Sequence, residues 1–128
     1  MGKFVIDKTK NGGVKFNLLA GNGEIIATSE VYNTKAACKN GISSVIRNAG
    51  SEIENQTEKD YTVLKNPKYE VYKDKKGEFR YRLKASNGQI IAVGEGYTSL
   101  DAVKKGIASI KKNAVPDVKI DDQTVAKK

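Results

Sequence analysis

The clearest pattern of hydrophobic and polar positions is an alternation that occurs twice in the chain. The apolar positions are Val14, Phe16, Leu18, Ala20 and Phe79, Tyr81, Leu83, Ala85. A period of two indicates a strand with one buried face. Because the residues in between are mostly polar, the pattern favours an antiparallel sheet that is covered on one side only.

Turn signals place further strands on both sides of each alternation. Asn22-Gly23 and Asn87-Gly88 follow directly, and Asn-Gly is the preferred pair for a tight hairpin. The apolar runs 25–28 and 90–93 are then third strands. The segments 4–8 and 69–73, which precede glycine-containing turns, are first strands. Each unit therefore begins with three antiparallel strands.

After the third strand the apolar spacing changes from two to three or four, which predicts a helix. Thr34 and Ser99 are the expected N-cap residues. Gly41 and Gly106 recur in the middle of the predicted helices, where glycine is unfavourable, and this indicates close packing of the helix on the sheet. A short extended segment follows each helix, at 52–54 and 117–120, and either segment could be an edge strand.

The whole pattern is an internal repeat, because Asn22-Gly23-Glu24-Ile25-Ile26-Ala27 returns about 65 residues later as Asn87-Gly88-Gln89-Ile90-Ile91-Ala92. We assign residues 1–57 to the first repeat, 58–67 to a linker, 68–122 to the second repeat and 123–128 to a flexible tail. Each repeat is small for an independent core, so we expect one compact unit. The predicted class is α+β: a tandem duplication of a β-β-β-α unit with a fourth short strand, antiparallel sheets and helices on one face.

These motifs carry a resemblance to a known family. The segments 16–27 and 81–92, each followed by Tyr32 or Tyr97 and by the glycine-containing helix, resemble the YegP-like family over nearly the whole chain. The resemblance implies a small bacterial protein whose two units pack about a pseudo-twofold axis. It supplies no established function and no catalytic residues. The first repeat has Gly21, Ser29 and Val31 where the second has Ser86, Gly94 and Gly96, so we expect different turns between strand and helix.

Composition narrows the chemistry and the location. The 128 residues include no histidine and one cysteine, Cys38. These counts exclude a histidine base, a disulfide framework and a thiolate zinc site. No apolar run is long enough to cross a membrane, and a charge at Asp7 interrupts any signal-peptide core. We therefore expect a cytoplasmic monomer with no cofactor, no metal and no membrane contact.

The net charge of +8 points to an anionic partner, provided that the charge is clustered. Residues 1–57 carry a net +2 and residues 68–128 a net +6. Alternation places Arg80, Arg82 and Lys84 on the solvent face of one strand, which gives a basic stripe. Three strands and a helix also occur in domains that read DNA with a sheet, so this stripe is the candidate nucleic-acid contact. A solvated strand face is the plainer interpretation.

Two other motifs could have a binding or catalytic function, but each has a simpler structural explanation. The segment 94–99, with Gly94 and Gly96, precedes a helix as phosphate-binding loops do, but it lacks the third glycine of the dinucleotide fingerprint. Turn geometry explains it better. Glu30 and Glu95 occupy the same position in both repeats and could act as an acid–base pair if they met, although a glutamate before a helix also favours the helix dipole.

The sequence thus predicts a small non-enzymatic cytoplasmic protein, a binding or stress-associated module. The alternative is a nucleic-acid-binding protein that uses the stripe Arg80, Arg82 and Lys84. Nucleic acid and another protein are the two partners to consider. An enzyme that uses Glu30 and Glu95 is a third hypothesis.

Overall fold

The computed structural model describes residues 2–124 and confirms the α+β class. In this part of the chain, two helices lie against one mixed sheet of eight strands. The elements are β1 (Lys3–Lys8), β2 (Val14–Leu19), β3 (Ile25–Thr28), α1 (Lys35–Asn48), β4 (Ile53–Asn55), β5 (Lys68–Lys73), β6 (Phe79–Lys84), β7 (Ile90–Val93), α2 (Leu100–Asn113) and β8 (Lys119–Asp122).

The Asn-Gly hairpins form where the sequence predicts them. Strands β1, β2 and β3 form one antiparallel meander, and β5, β6 and β7 form another. Gly23 and Gly88 have φ angles of 86° and 83°, a conformation that glycine adopts without strain. The hairpins set the register in which Phe16 and Tyr81 face the core.

One central pairing joins the two meanders. Strands β3 and β7 run antiparallel, with Thr28 opposite Val93. The order across the sheet is β4-β5-β6-β7-β3-β2-β1-β8. Residues 2–124 therefore form one continuous sheet, and their buried apolar side chains form one hydrophobic core cluster.

The expectation of purely antiparallel sheets is wrong at both edges. The edge strand β4 runs parallel to β5, and the edge strand β8 runs parallel to β1. Parallel neighbours need a long connection, and the 56–67 segment supplies it between β4 and β5. Each strand that follows a helix thus pairs with the first strand of the other half of the chain.

The helices begin at the predicted caps and lie close to the sheet. Thr34 Oγ1 accepts a hydrogen bond from the Ala37 amide at 3.0 Å, and Ser99 Oγ accepts one from the Ala102 amide at 3.1 Å. A Cβ added at Gly106 would lie 2.9 Å from the Tyr97 hydroxyl, and one at Gly41 would overlap the Tyr32 hydroxyl. The glycines therefore permit the tight helix packing.

Aromatic residues fill the core between helices and sheet. Phe16 stacks on Tyr32 in the first half of the chain, and Tyr81 stacks on Tyr97 in the second, both with planes 11° apart. The buried Tyr81 hydroxyl donates to the carbonyl of Ile26, which belongs to the other half. This bond and the shared core cluster tie the two halves together.

The predicted linker and tail have defined contacts. Within 58–67, the Leu64 amide donates to Glu54 Oε1 at 2.7 Å. At the start of the predicted tail, the Gln123 amide donates to the Ile6 carbonyl at 2.8 Å, and the Thr124 amide donates to Asp122 Oδ1. The rest of that tail, residues 125–128, lies outside the described residues.

Candidate nucleic-acid interface

The structure places Arg80, Arg82 and Lys84 together on the face of the sheet that the helices do not cover, and each is paired with an acid. The Arg80 Nε atom lies 2.6 Å from Asp74 Oδ2. The Arg82 Nε atom lies 2.6 Å from Glu70 Oε1, and Lys84 Nζ lies 3.4 Å from Glu70 Oε2. The stripe therefore has little uncompensated charge. Whether it contacts nucleic acid stays a prediction.

Beside the stripe lies a network of buried charges. Glu54, Lys68 and Glu70 are only 2%, 6% and 4% exposed. Lys68 Nζ lies 2.7 Å from Glu54 Oε1 and 3.3 Å from Glu70 Oε2. Gln56 and the Leu64 amide also donate to Glu54. The side chain of Glu54 thus holds the 56–67 segment over this edge of the sheet.

The network controls the ionisation of its carboxyl groups. Burial alone would raise the pKa of Glu54, but hydrogen bonds from Gln56, Lys68 and Leu64 outweigh it and lower the pKa from 4.5 to about 2. Burial likewise opposes ionisation of Glu70, and the bonds from Arg82 and Lys68 shift its pKa downward on balance. Both carboxylates are therefore charged and stabilising at neutral pH.

This arrangement predicts how stability depends on pH. Because the pKa of Glu54 is lower in the folded protein, its contribution is complete above the unfolded value of 4.5 and is lost as the pH falls toward about 2. We expect the free energy of unfolding, measured with urea, to fall across that window. A Glu54→Gln variant should show a flatter profile there. An equally steep profile for the variant would contradict the assignment.

Most of the net positive charge lies on the helices. α1 contains three cationic residues and no acidic one, whereas α2 contains four lysines and Asp101, so each helix has a net charge of +3. The two helices thus carry six of the eight net charges of the chain. The helix residues that are both cationic and exposed are Lys39, Arg47, Lys104, Lys105, Lys111 and Lys112. We call these six residues the helical cationic surface.

Two grooves separate the helices from the Asn-Gly hairpins. The α2 groove has two adjoining cavities of about 300 and 320 Å³, lined among others by Asn22, Glu24, Tyr97, Lys105, Ser109 and Lys112. The α1 groove has cavities of about 360 and 460 Å³, whose lining includes Arg47, Ser86, Asn87, Glu30, Tyr32 and Gln89. In the α2 groove and in the 360 Å³ cavity, the helix of one half of the chain faces the hairpin of the other half, whereas the 460 Å³ cavity lies between the segment before α1 and the second hairpin.

The glycine-containing segment before α2 is explained by packing. A Cβ at Gly94 would overlap the ring of Tyr81, and one at Gly96 would lie 2.6 Å from Glu78 Oε1. In the first half, Ser29 and Val31 occupy these two places, and Val31 lies against Gly13. Gly13 therefore lies against Val31 in the first half, whereas Glu78 lies against Gly96 in the second half. The two glycines make room for neighbouring side chains.

The strand register separates Glu30 and Glu95. Each lies two residues beyond the central pair Thr28 and Val93, and the two strands run in opposite directions. At about 3.3 Å per residue, the two positions lie about 13 Å apart along the strands. The structure therefore does not bring the two carboxylates together.

Residues 2–124 contain neither a cluster of metal ligands nor a helix suited to a membrane. Within that range, no group of three or more potential ligands is placed to hold a metal ion. Neither described helix has the length and apolar character that a bilayer span requires.

Sequence reasoning missed the helical cationic surface and the grooves for different reasons. The surface had a signal, because the lysine pairs 104–105 and 111–112 fall on one predicted helix together with a single acid. The grooves had none, since their walls come from elements far apart in sequence. The pairing of Arg82 with Glu70 could have been predicted from the hairpin register, because that register sets the two residues opposite each other.

Comparison with known proteins places the chain in a family. A family model described as a domain of unknown function, DUF1508, matches residues 9–54 and 74–122. The UPF0339 protein YegP of Yersinia pestis is 43% identical over 118 residues, which cover 92% of this chain and 93% of that protein. A UPF0339 protein of Pseudomonas aeruginosa is 34% identical, over 95% of this chain and 97% of its own length.

Solved structures agree with the fold. The solution NMR structure of the Escherichia coli protein YegP, described as a protein of unknown function, matches with a TM-score of 0.77 at 34% identity, covering 95% of this chain and 92% of that one. A UPF0339 protein of Shewanella oneidensis matches with a TM-score of 0.75, also at 34% identity, over 94% of this chain and 90% of its own. Sequence and fold together show that this chain belongs to the DUF1508 family, whose members include the UPF0339 proteins named YegP.

Proposed function

We propose that this protein is a non-catalytic, cytoplasmic, monomeric binding module whose partner is nucleic acid, bound through the helical cationic surface. The observation that carries the proposal is the location of the charge. Six of eight net positive charges lie on the two helices, whereas Arg80, Arg82 and Lys84 on the sheet are paired with acids. Exposed lysines and arginines without acidic neighbours are the usual contacts to phosphates.

We also propose that the two halves arose by tandem duplication and are related by a pseudo-twofold axis. The order β-β-β-α-β occurs in both halves, and the family model matches the chain twice. Corresponding cations, such as Lys39 and Lys104 or Arg47 and Lys112, then lie at related places on one face. This arrangement would present two similar basic helices to one extended anion.

The proposal predicts a specific loss of binding. Replacing the four lysines of α2, Lys104, Lys105, Lys111 and Lys112, by glutamine should weaken binding of a labelled oligonucleotide at least tenfold. Each lost phosphate contact should also reduce the slope of log K against log salt by about 0.7 to 0.9. Fluorescence anisotropy at several salt concentrations measures both quantities, and circular dichroism checks the fold.

A matched control separates the surface from net charge alone. Lys10, Lys59, Lys75 and Lys76 are exposed and lie outside both helices, so their replacement by glutamine removes the same charge. This control should retain most of the affinity. An equal loss in both variants, or no binding by the native protein at low salt, would refute the proposal.

The stripe hypothesis can be compared in the same assay. Arg80→Gln and Lys84→Gln together remove two cations from β6 while leaving Arg82 to pair with the buried Glu70. Because acids already neutralise both positions, we expect a small change in affinity. A larger loss than in the α2 variant would favour the sheet as the interface.

A further inference from the structure

The α2 groove and the α1 groove differ in charge. Lys105, Lys112 and Glu24 give the α2 groove a net charge of +1, whereas Arg47 and Glu30 cancel in the α1 groove. The α1 groove contains the larger cavity, about 460 Å³, but it is the neutral one. If one of the two grooves binds a segment of an anionic chain, the α2 groove is the better match because its net charge is positive.

The wall of the α2 groove presents donors at helical spacing. Lys105, Ser109 and Lys112 lie four and three residues apart, so they share one face of α2. Ser109 Oγ accepts a hydrogen bond from Asn113 Nδ2 at 3.2 Å, which leaves its own proton to donate. Lys105 and Lys112 are separated by about 10 Å along the helix, so they can contact different phosphates of one strand.

The other groove residues match a single strand better than a duplex. Tyr97 is half-buried and lines the groove, and one face of its ring stacks on Tyr81. A positively charged groove beside an aromatic side chain is the usual arrangement for binding single-stranded nucleic acid. Cavities of about 300 Å³ suit one strand, whereas a duplex would meet only the exposed lysines at the rim.

We infer that the α2 groove binds the backbone of single-stranded nucleic acid, with Lys105, Ser109 and Lys112 at the phosphates and Tyr97 against a base. The inference rests on the proposed function and names the form of nucleic acid that this surface takes. Glu24 lies on the hairpin wall of the α2 groove, where its negative charge would repel the phosphates. Its counterpart in the other groove is the neutral Gln89.

The test divides the four α2 lysines into two pairs of equal charge. Lys105 and Lys112 line the groove, whereas Lys104 and Lys111 lie outside its lining, and all four are exposed. The ligand is a labelled single strand of about 12 nucleotides. Lys105→Gln with Lys112→Gln should weaken binding about tenfold and reduce the salt slope by about 1.4. Lys104→Gln with Lys111→Gln should weaken it threefold or less.

A substitution that is expected to increase the affinity gives an independent test. Glu24→Gln copies the residue of the second Asn-Gly hairpin, so it should fold normally. Removal of the opposing charge should raise single-strand affinity about threefold. The native protein should also bind the single strand more tightly than the matching duplex. Unchanged affinity of Glu24→Gln, or preference for duplex, would overturn the groove assignment.

The remaining outcomes separate the two proposals. Equal losses from the two lysine pairs would refute the groove while leaving nucleic-acid binding by the helical surface intact. No loss from either pair would refute both. Inorganic polyphosphate is the competitor that tests the partner class. Competition as strong per phosphate as that of the single strand would refute a nucleic-acid site.

Discussion

Lys68→Met should lower the free energy of unfolding by about 3–5 kcal/mol, the usual cost of removing one partner from a buried ion pair. The lysine lies between Glu54 and Glu70, and both carboxylates are at most 4% exposed. Glu70 keeps Arg82 and Lys84, but Glu54 loses its only ion-pair partner among the described residues. Urea denaturation followed by circular dichroism measures the change.

The chain contains a matched control for this substitution. Lys3 begins β1 as Lys68 begins β5, and it pairs with Asp121 at 3.3 Å, but these side chains are 38% and 29% exposed. Such exposed pairs contribute about 0–1 kcal/mol. Lys3→Met should therefore be nearly neutral. Equal losses from the two variants would show that burial is not the cause.

A double substitution tests the mechanism. If the loss in Lys68→Met comes from an isolated buried carboxylate, then adding Glu54→Gln should recover part of the stability. Strictly additive losses would instead point to lost packing of the lysine side chain. The same double variant should show a smaller acid-dependent destabilisation than the native protein between about pH 4.5 and 2, because Glu54 no longer titrates.

Gly94→Ala is expected to cost about 3 kcal/mol, at the upper end of overpacking effects. A methyl group at this position would overlap three atoms of the Tyr81 ring, and the bond from the Tyr81 hydroxyl to Ile26 prevents the ring from moving aside. Gly50→Ala is the control, because a Cβ there has no neighbour within 4 Å in the described part of the chain. Thermal and urea unfolding would measure both variants.

A comparison of the two halves of the chain suggests how to relieve this clash. The first half has Ser29 and Phe16 where the second has Gly94 and Tyr81. Tyr81→Phe removes the hydroxyl that fixes the ring, so Gly94→Ala should cost less in that background than in the native protein. An identical cost in both backgrounds would contradict the explanation.

The strands, hairpins and helix caps could be predicted because they depend on local chemistry. The pairs Asn22-Gly23 and Asn87-Gly88 specify tight hairpins through their own backbone preferences. Thr34 and Ser99 cap the helices through hydrogen bonds from amides three residues further along the chain. The parallel edges could not be predicted in this way. Pairing of β4 with β5 and of β8 with β1 joins each of these short strands to the first strand of the other half of the chain, which no local pattern specifies.

The candidate site likewise has some features that follow from local sequence and others that depend on distant residues. The position of Arg80, Arg82 and Lys84 on one face follows from alternation, and Glu70 opposite Arg82 follows from the hairpin register. Glu54 joins this network only because β4 lies beside β5, which no local pattern indicates. The α2 groove likewise needs the first Asn-Gly hairpin to lie next to the second helix.

The pairing of β8 with β1 has a consequence for synthesis of the protein in the cell. Strand β1 is synthesised long before β8, so it has no edge partner until Lys119–Asp122 follows. Contacts between residues so far apart in sequence form late and slow the folding reaction. The nascent chain should therefore expose the outer edge of β1 until Lys119–Asp122 has been made, and pairing of β8 with β1 would then complete the sheet.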